Sequence, residues 1–294
     1  MKPAPFDYVA ARSLDEALAL LADAAGDAKL LAGGQSLIPV LNFRLAQPAK
    51  LIDLNGVPDL DFVRAVDGGS LRLGALVRHR RLERDPLIAR WAPLVHETAP
   101  HIAHPQIRSR GTLGGSLAHA DPAAELPAVA LALNARFLLK RRGGERWIEA
   151  SDFFTGLFAT AIEPDEMLVE IDLPALAPRT GTAVLEAARR HGDYAMAGVA
   201  ATVTLDDVGV CRAVRLVYLS VGEGPVLGRQ AMLSLDGEVP SEARIAAAAA
   251  LASEEDVAPL GDIHASTDFK RHLVRVLTAR ALRSAVSRAK EAVA

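Results

Sequence analysis

The chain has 294 residues, half of them hydrophobic and 23% charged, enough for two domains with packed cores. A net charge of -3 offers no broad basic surface, so neither nucleic acid nor an anionic membrane is expected as partner. The single cysteine, Cys211, excludes an internal disulfide and any cysteine-ligated iron–sulfur cluster housed in this chain alone.

In chain order, Met1-Lys2-Pro3-Ala4-Pro5 carries no signal-peptide core and no apolar run reaches transmembrane length, so a cytoplasmic protein without a membrane span is expected. Ser13 and Glu16 form a capping-box pattern ahead of Leu14, Ala17, Leu18 and Leu21 at helical spacing, and Gly26 ends that helix. Leu30 and Leu31 read as the end of a buried strand. Gly33 and Gly34 form a turn, and Ser36 stands where it would cap a helix through Leu37, Leu41 and Phe43. Lys50 to Leu54 is a further strand, giving a small parallel α/β unit. A strand, a Gly-Gly turn and a helix start leave several backbone N–H groups directed at one place, which suits a phosphate. An ordinary strand-to-helix turn satisfies the same residues.

Residues 62–66 and 71–73 read as two strands around Asp67-Gly68-Gly69. Arg78, Arg80, Arg81 and Arg84, with His79, read as a solvated helix face, with a grip on an acidic group as the rival reading. A long helical region from about Pro86 to Ala99 leads to His101-Ile102-Ala103-His104-Pro105-Gln106-Ile107-Arg108. His96, His101, His104 and His119 lie near one another in sequence. Pro105 breaks any regular helix there and no carboxylate stands at zinc spacing, so no metal site is expected. Gly111-Thr112-Leu113-Gly114-Gly115-Ser116 repeats the first glycine design, with Asp121 and Glu125 shortly after. The two Gly-Gly turns suit the two phosphates of a dinucleotide, gripped from opposite sides. On this reading Gly114→Val fills the phosphate site and leaves the fold intact. Neither G-x-G-x-x-G nor a P-loop occurs, so such a site is not of the Rossmann or P-loop kind.

Pro122 to Leu133 is an apolar helix. Residues 136–140 and 146–148 form a hairpin around Gly143-Gly144, Ser151 caps a short helix with Phe153 and Phe154, and Met167 to Leu173 is a strand. Pro174 to Thr180 has two prolines and no periodicity, which places a domain boundary between 1–176 (subdomains about 1–56 and 57–176) and 177–294. Thr182 to Ala188, Ala197 to Leu205 and Val210 to Val221 predict a three-stranded antiparallel sheet, with Arg189-Arg190-His191-Gly192-Asp193-Tyr194-Ala195 between the first two strands. Pro240 and Ser241 open an alanine-rich helix. A long helix from Thr267 has a basic face (Lys270, Arg271, Arg275, Arg283) that reads as solvated.

Ala32-Gly33-Gly34-Gln35-Ser36-Leu37, Thr112-Leu113-Gly114-Gly115-Ser116 and Arg190-His191-Gly192-Asp193-Tyr194 resemble the FAD-binding medium subunit of molybdenum hydroxylases, such as carbon monoxide dehydrogenase and relatives of xanthine dehydrogenase. The resemblance covers nearly the whole chain, including the Asp262 to Leu273 region. It implies an α+β fold: an FAD-binding domain of two α/β subdomains, of the vanillyl-alcohol oxidase/PCMH type, plus a C-terminal flavoprotein domain with a three-stranded antiparallel sheet and helices. By matching positions, Leu31, Ala32, Gly33, Gly34, Gln35, Ser36 and Leu37 bind the FAD pyrophosphate from one side. Gly111, Thr112, Gly114, Gly115 and Ser116 bind it from the other. Asp121 and Glu125 hold ribose or adenine, while Ile102, Ala103 and Gln106 line the approach to the flavin. Leu168 belongs to the implied cofactor set, and Tyr194 lies near the isoalloxazine ring, where an aromatic side chain packs on the flavin.

Three positions depart from the family pattern. Gln35 stands where some members have histidine, and Ser116 where many have asparagine; both keep hydrogen-bonding capacity. Glu186 stands where the carbon monoxide and xanthine branches tend to have lysine. A carboxylate there disfavours electron density on the ring, so a lower flavin potential is expected. The implied activity is electron transfer within an oxidoreductase. Substrate is hydroxylated at a molybdopterin centre in a large partner chain, electrons cross two [2Fe–2S] clusters in a small partner chain, and FAD here passes them to NAD, a quinone, oxygen or another acceptor. The expected assembly is a dimer of heterotrimers. Cys211 as lone cysteine agrees with clusters housed elsewhere, and no catalytic residue of the chain's own is expected. A stand-alone flavin oxidase or reductase of the same broad fold is the alternative, disfavoured by the small C-terminal domain and the lack of a proton-donating group. A scaffold that has lost its cofactor is disfavoured by both retained Gly-Gly turns.

Overall fold

The N-terminal unit follows from a short amphipathic helix laid on three short strands. In this computed structural model, which describes residues 2–67 and 69–292, Ser13 accepts the N–H of Glu16 at 3.1 Å and opens the helix Leu14–Asp23. Met1, and Gly68 of the expected turn, lie outside the described residues. The Glu16 carboxylate reaches the N–H of Arg12 at 2.8 Å, one residue short of a capping box. Ala17, Leu18 and Leu21 bury against the sheet. The strands Asp7–Ala10, Lys50–Asp53 and Ala28–Leu31 are parallel, in that spatial order, so Lys50–Asp53 is central and its Leu51 and Ile52 are buried.

The second unit is a five-stranded sheet in the order Val63–Val66, Ser70–Gly74, Met167–Leu173, Arg136–Arg141, Gly144–Glu149. Every pairing in it is antiparallel, so the expected second α/β subdomain is an antiparallel sheet with helices inserted between its second and third strands in chain order. The helix expected from Pro86 to Ala99 is two, Pro86–Trp91 and Pro93–Thr98, because Pro93 cannot donate into a continuing helix. Helix Glu125–Ala132 is buried at all eight positions, which explains its lack of a polar face.

The helix is buried between the second unit and the C-terminal sheet, whose strands are Thr180–Ala188, Ala195–Leu205, Cys211–Leu219 and Val226–Leu227. The last is a two-residue fourth strand on Tyr218 and Val217, too short to carry an alternating pattern in sequence. Val184, Ala200, Val217 and Leu219 face the second unit. Ala183, Ala201, Leu216 and Tyr218 face the opposite way, into a core with the helices Glu242–Leu251 and Thr267–Glu291. The basic residues of the long helix are paired rather than merely solvated: Lys270 lies 2.7 Å from Asp262, Arg283 2.7 Å from Glu242, and Arg271 donates to the Ser253 carbonyl. Arg288, on the same helix, pairs with Glu97 of the second unit at 2.6 Å. Among the described residues no helix is long and apolar enough to cross a membrane.

Gly181 fixes the distance between this sheet and its long helix. A methyl group at its α-carbon would overlap the Ala285 carbonyl oxygen and stand 2.9 Å from the Ala285 carbonyl carbon, so backbone abuts backbone. Gly181→Ala is expected to lower stability by at least about 1–3 kcal/mol, the usual cost of overpacking, read as a lower urea midpoint. An unchanged midpoint would contradict the close approach.

Candidate functional site

The first glycine stretch leaves the central parallel pairing at Leu31, whose carbonyl accepts the Leu54 N–H at 2.9 Å, and enters the helix Leu37–Asn42. Gly34 sits at φ +74°, a left-handed conformation that favours glycine. Gly33 has no room for a side chain: a methyl there would overlap the Arg110 carbonyl oxygen and lie 2.8 Å from the Gly111 Cα. The two glycine stretches are therefore in backbone contact. Among the described residues, nothing accepts a hydrogen bond from the N–H of Gly33, Gly34, Gln35, Ser36 or Leu37. Five free donors on a bare backbone suit an anion. Ser36 does not cap the helix; its backbone is already helical (φ -97°, ψ -44°) and its hydroxyl accepts nothing from the first turn. The Gln35 side-chain amide donates to the Gly33 carbonyl at 2.9 Å and braces the turn.

The second stretch is built differently. Gly111 N–H donates to Ile107 O (2.7 Å), Leu113 N–H to Val77 O (2.9 Å), Gly114 N–H to Ala75 O (2.8 Å) and Ser116 N–H to Thr112 O (3.0 Å). Thr112 caps the helix Leu113–His119 by accepting the Gly115 N–H at 3.1 Å. Its backbone donors are largely engaged within the fold. Gly114 is bare because Ala75 lies against it: a methyl group at its α-carbon would fall 2.5 Å from the Ala75 Cβ and 2.8 Å from its carbonyl oxygen. The expectation that Gly114→Val leaves the fold intact is thus overturned: the valine would strike the neighbouring strand end, not an open phosphate site.

The segment that receives these bonds, Ala75 to His79, carries no local signal of its role. His79, expected on a solvated face, is buried against Gly111, and its Nε2 lies 2.9 Å from the Thr112 carbonyl oxygen. With Nε2 as donor, Nδ1 is unprotonated and has no partner among the described residues. Burial, opposed by the Thr112 bond and reinforced by Arg108 and Arg78, pushes its pKa down to about 4. Arg78 donates to the Arg110 carbonyl and to Asn55 Oδ1 (2.5 Å). Asn55 in turn donates to the Ala32 carbonyl at 3.0 Å and to Asp53, which accepts from the Tyr8 hydroxyl at 2.6 Å. This polar chain stitches the first strands to the second glycine stretch. Its one signal in the sequence is Asp53 and Asn55 at a strand end.

The remaining expected residues scatter around the junction with the C-terminal sheet. Ile102 is buried, Ala103 takes a left-handed φ of +44°, and Gln106 is exposed on the short helix Pro105–Arg108. Asp121 is half-buried and accepts the Ala123 N–H at 2.9 Å. Leu168 is packed in the core of the antiparallel sheet opposite Leu139. Tyr194 is 70% exposed, and its hydroxyl is shifted up first by partial burial, then by Asp121 and Glu125. Glu125 is only 8% exposed and lies within electrostatic reach of Glu186, His101 and Asp121. Burial first, and then Glu186, push its carboxyl up to about 7. His101 Nδ1 stands 3.5 Å from Glu186 Oε1, and that contact raises the histidine's pKa. No group of three or more His, Cys, Asp or Glu side chains among the described residues is arranged to hold a metal.

The sequence profile described as "FAD binding domain in molybdopterin dehydrogenase" matches residues 4–176, and that described as "CO dehydrogenase flavoprotein C-terminal domain" matches residues 182–285. The chain belongs to the FAD-binding medium-subunit family of the molybdenum hydroxylases. It is similar to the 6-hydroxypseudooxynicotine dehydrogenase complex subunit alpha of Paenarthrobacter nicotinovorans, 44% identical over 99% of this chain and 97% of that one. It is also similar to the carbon monoxide dehydrogenase medium chain of Hydrogenophaga pseudoflava, 37% identical over 98% of this chain and 99% of the relative. A solved structure of carbon monoxide dehydrogenase from that organism, lacking the Mo-pyranopterin moiety, superposes with a TM-score of 0.94 at 37% identity, covering 98% of this chain and 99% of the other. As a member of this family the protein is a flavoprotein subunit of an oxidoreductase with FAD as its cofactor, and its α+β fold is that of the family's medium chains.

The raised carboxyl of Glu125 makes stability pH-dependent. The folded protein holds its proton more tightly than an unfolded chain, so this contribution is present at acid pH and lost as pH rises from the ordinary carboxylate range through about 7. Glu125→Gln is expected to melt higher than the parent at pH 8 and alike at pH 4. A variant with no advantage at pH 8 would contradict the buried, charge-opposed carboxyl.

Proposed function

We propose that this chain is the electron-transferring FAD subunit of a heterotrimeric molybdenum hydroxylase, taking electrons from [2Fe–2S] clusters of a small partner chain and delivering them to an external acceptor. A large molybdopterin chain completes the heterotrimer, and two heterotrimers pair. The observation that carries the reading is the run of five unengaged backbone N–H groups from Gly33 to Leu37, on a backbone bared by Gly33 and Gly34. A pyrophosphate fits that run by charge, by donor number and by closeness of approach.

On this reading Leu31 to Leu37 hold the pyrophosphate through main-chain donors. Gly111 and Gly114 serve chiefly to let the second stretch close against His79 and Ala75, leaving Ser116, half-buried, to offer its hydroxyl from the other side. Asp121 supplies a carboxylate for sugar hydroxyls. Ile102 and Ala103 form a wall of the flavin site with Leu168 behind it, Gln106 stands at its mouth, and Tyr194 covers the ring. Bound FAD supplies the exchange of electrons between the clusters and the acceptor. The residues of this chain orient it, exclude water and set its electrostatics. Glu186 faces His101, whose protonation it favours, so its charge is partly compensated. Residues 1–176 act as the cofactor domain and 177–294 as the domain that closes over it.

The test is co-expression with the two partner chains from the same source, with a tag on this chain alone. The expected product is a three-chain complex with flavin and iron–sulfur absorption, in which turnover requires all three chains. Recovery of this chain alone, turning over a substrate through its own flavin, would contradict the proposal and support a stand-alone oxidase.

A further inference from the structure

One short turn carries the Ile102–Ala103 wall of the proposed flavin site and also touches the C-terminal domain. It runs from Pro100 to His104, and Arg108 holds it from within. Arg108 is 6% exposed; its Nη1 donates to the carbonyls of Ile102 and Ala103, both at 3.1 Å, and lies 3.4 Å from that of Pro100. Its Nε donates to Glu83 at 3.1 Å, which neutralises the buried charge. The backbone N–H of Arg108 donates to the His104 carbonyl at 3.0 Å. Several carbonyls converging on one planar cation pin a turn whose Ala103 sits at φ +44°, a conformation that costs a non-glycine residue energy and persists only when its surroundings enforce it.

The outer side of the same turn meets the C-terminal domain twice. His101 faces Glu186 at 3.5 Å. Gly192, at φ +88°, lies so close that a methyl group on it would overlap the His104 ring and stand 3.0 Å from the Ala103 carbonyl oxygen. Tyr194 is two residues further on. The turn is thus clamped between a cation inside the first domain and a bare glycine of the second.

We propose that Arg108 is a positioning residue for the flavin site: it holds the Pro100–His104 turn, and through His104 and Gly192 that turn sets where the loop carrying Tyr194 sits. The inference rests on the reading above that Ile102, Ala103 and Tyr194 line the flavin. Lysine cannot replace Arg108, because an ammonium on a flexible stem lacks the planar fork that reaches Glu83 and the turn carbonyls together. Alanine at residue 192 acts from the opposite side, by pushing the loop off His104.

The experiment uses the co-purified complex carrying Arg108→Lys, Gly192→Ala, both, or Tyr194→Ala, and measures flavin midpoint potential, flavin absorption and thermal midpoint. Arg108→Lys and Gly192→Ala are each expected to shift the flavin potential and its long-wavelength band in the direction that Tyr194→Ala does. The double variant is expected to shift them no further than the larger single change, since both act through one turn. If Arg108→Lys does not assemble, Gly192→Ala against Tyr194→Ala still decides. Native potential and spectrum in variants whose thermal midpoint has fallen would overturn the proposal, as would strictly additive shifts. A parent complex that carries no flavin would overturn instead the reading on which the inference rests.

Discussion

Gly33 and the Arg110–Gly111 peptide lie backbone against backbone, and the rest of the site depends on that contact. No side chain fits between them, so the two glycine stretches, far apart in sequence, meet backbone to backbone. The polar chain from Tyr8 through Asp53 and Asn55 to Arg78 locks them there, because Asn55 bonds the Ala32 carbonyl while Arg78 bonds that of Arg110. The parallel unit supplies one stretch from the end of a strand. The antiparallel unit supplies the other from the helix that follows Thr112.

The two stretches look alike in sequence and do different physical work. The second uses its main-chain donors to attach itself to Ala75, Val77 and Ile107, and its glycines make room for Ala75 and His79. The first leaves its donors from Gly33 to Leu37 without an acceptor among the described residues. On the proposed reading, an anion at the first stretch meets main-chain donors already held by the contact with the second stretch, so little rearrangement is needed to bind it. The C-terminal sheet completes the arrangement by burying helix Glu125–Ala132 and meeting the Pro100–His104 turn, which brings Tyr194 to the same side as Asp121 and Glu125.

Much of this was legible in the sequence where the determinant is local. The helix opened by Ser13, the hairpin around Gly143-Gly144, and the three long C-terminal strands follow from spacing, turn residues and alternation. The family was legible because both glycine stretches and the Gly-Asp-Tyr triplet occur in order. What failed were residues whose state depends on distant partners. His79 carries a solvated-looking sequence context, Arg78 to Arg81, yet it is buried because residues 75–79 pair with residues 111–114 far along the chain. The cost of a side chain at Gly114 was hidden because nothing local reveals Ala75 against it. Ser36 looked like a cap but already has helical backbone geometry, and capping requires an extended one. Glu186 acts electrostatically on Glu125 from another part of the chain, where no spacing rule applies.

The central claim is that the free amides of the first stretch hold the FAD phosphates and those of the second do not. Amide hydrogen exchange resolved by peptide, on the assembled complex with and without FAD, tests it most directly. The expected result is slower exchange across residues 33–37 on FAD binding, with residues 113–116 already protected in its absence and unchanged by it. Protection gained at 113–116 while 33–37 exchanges as before would contradict the account.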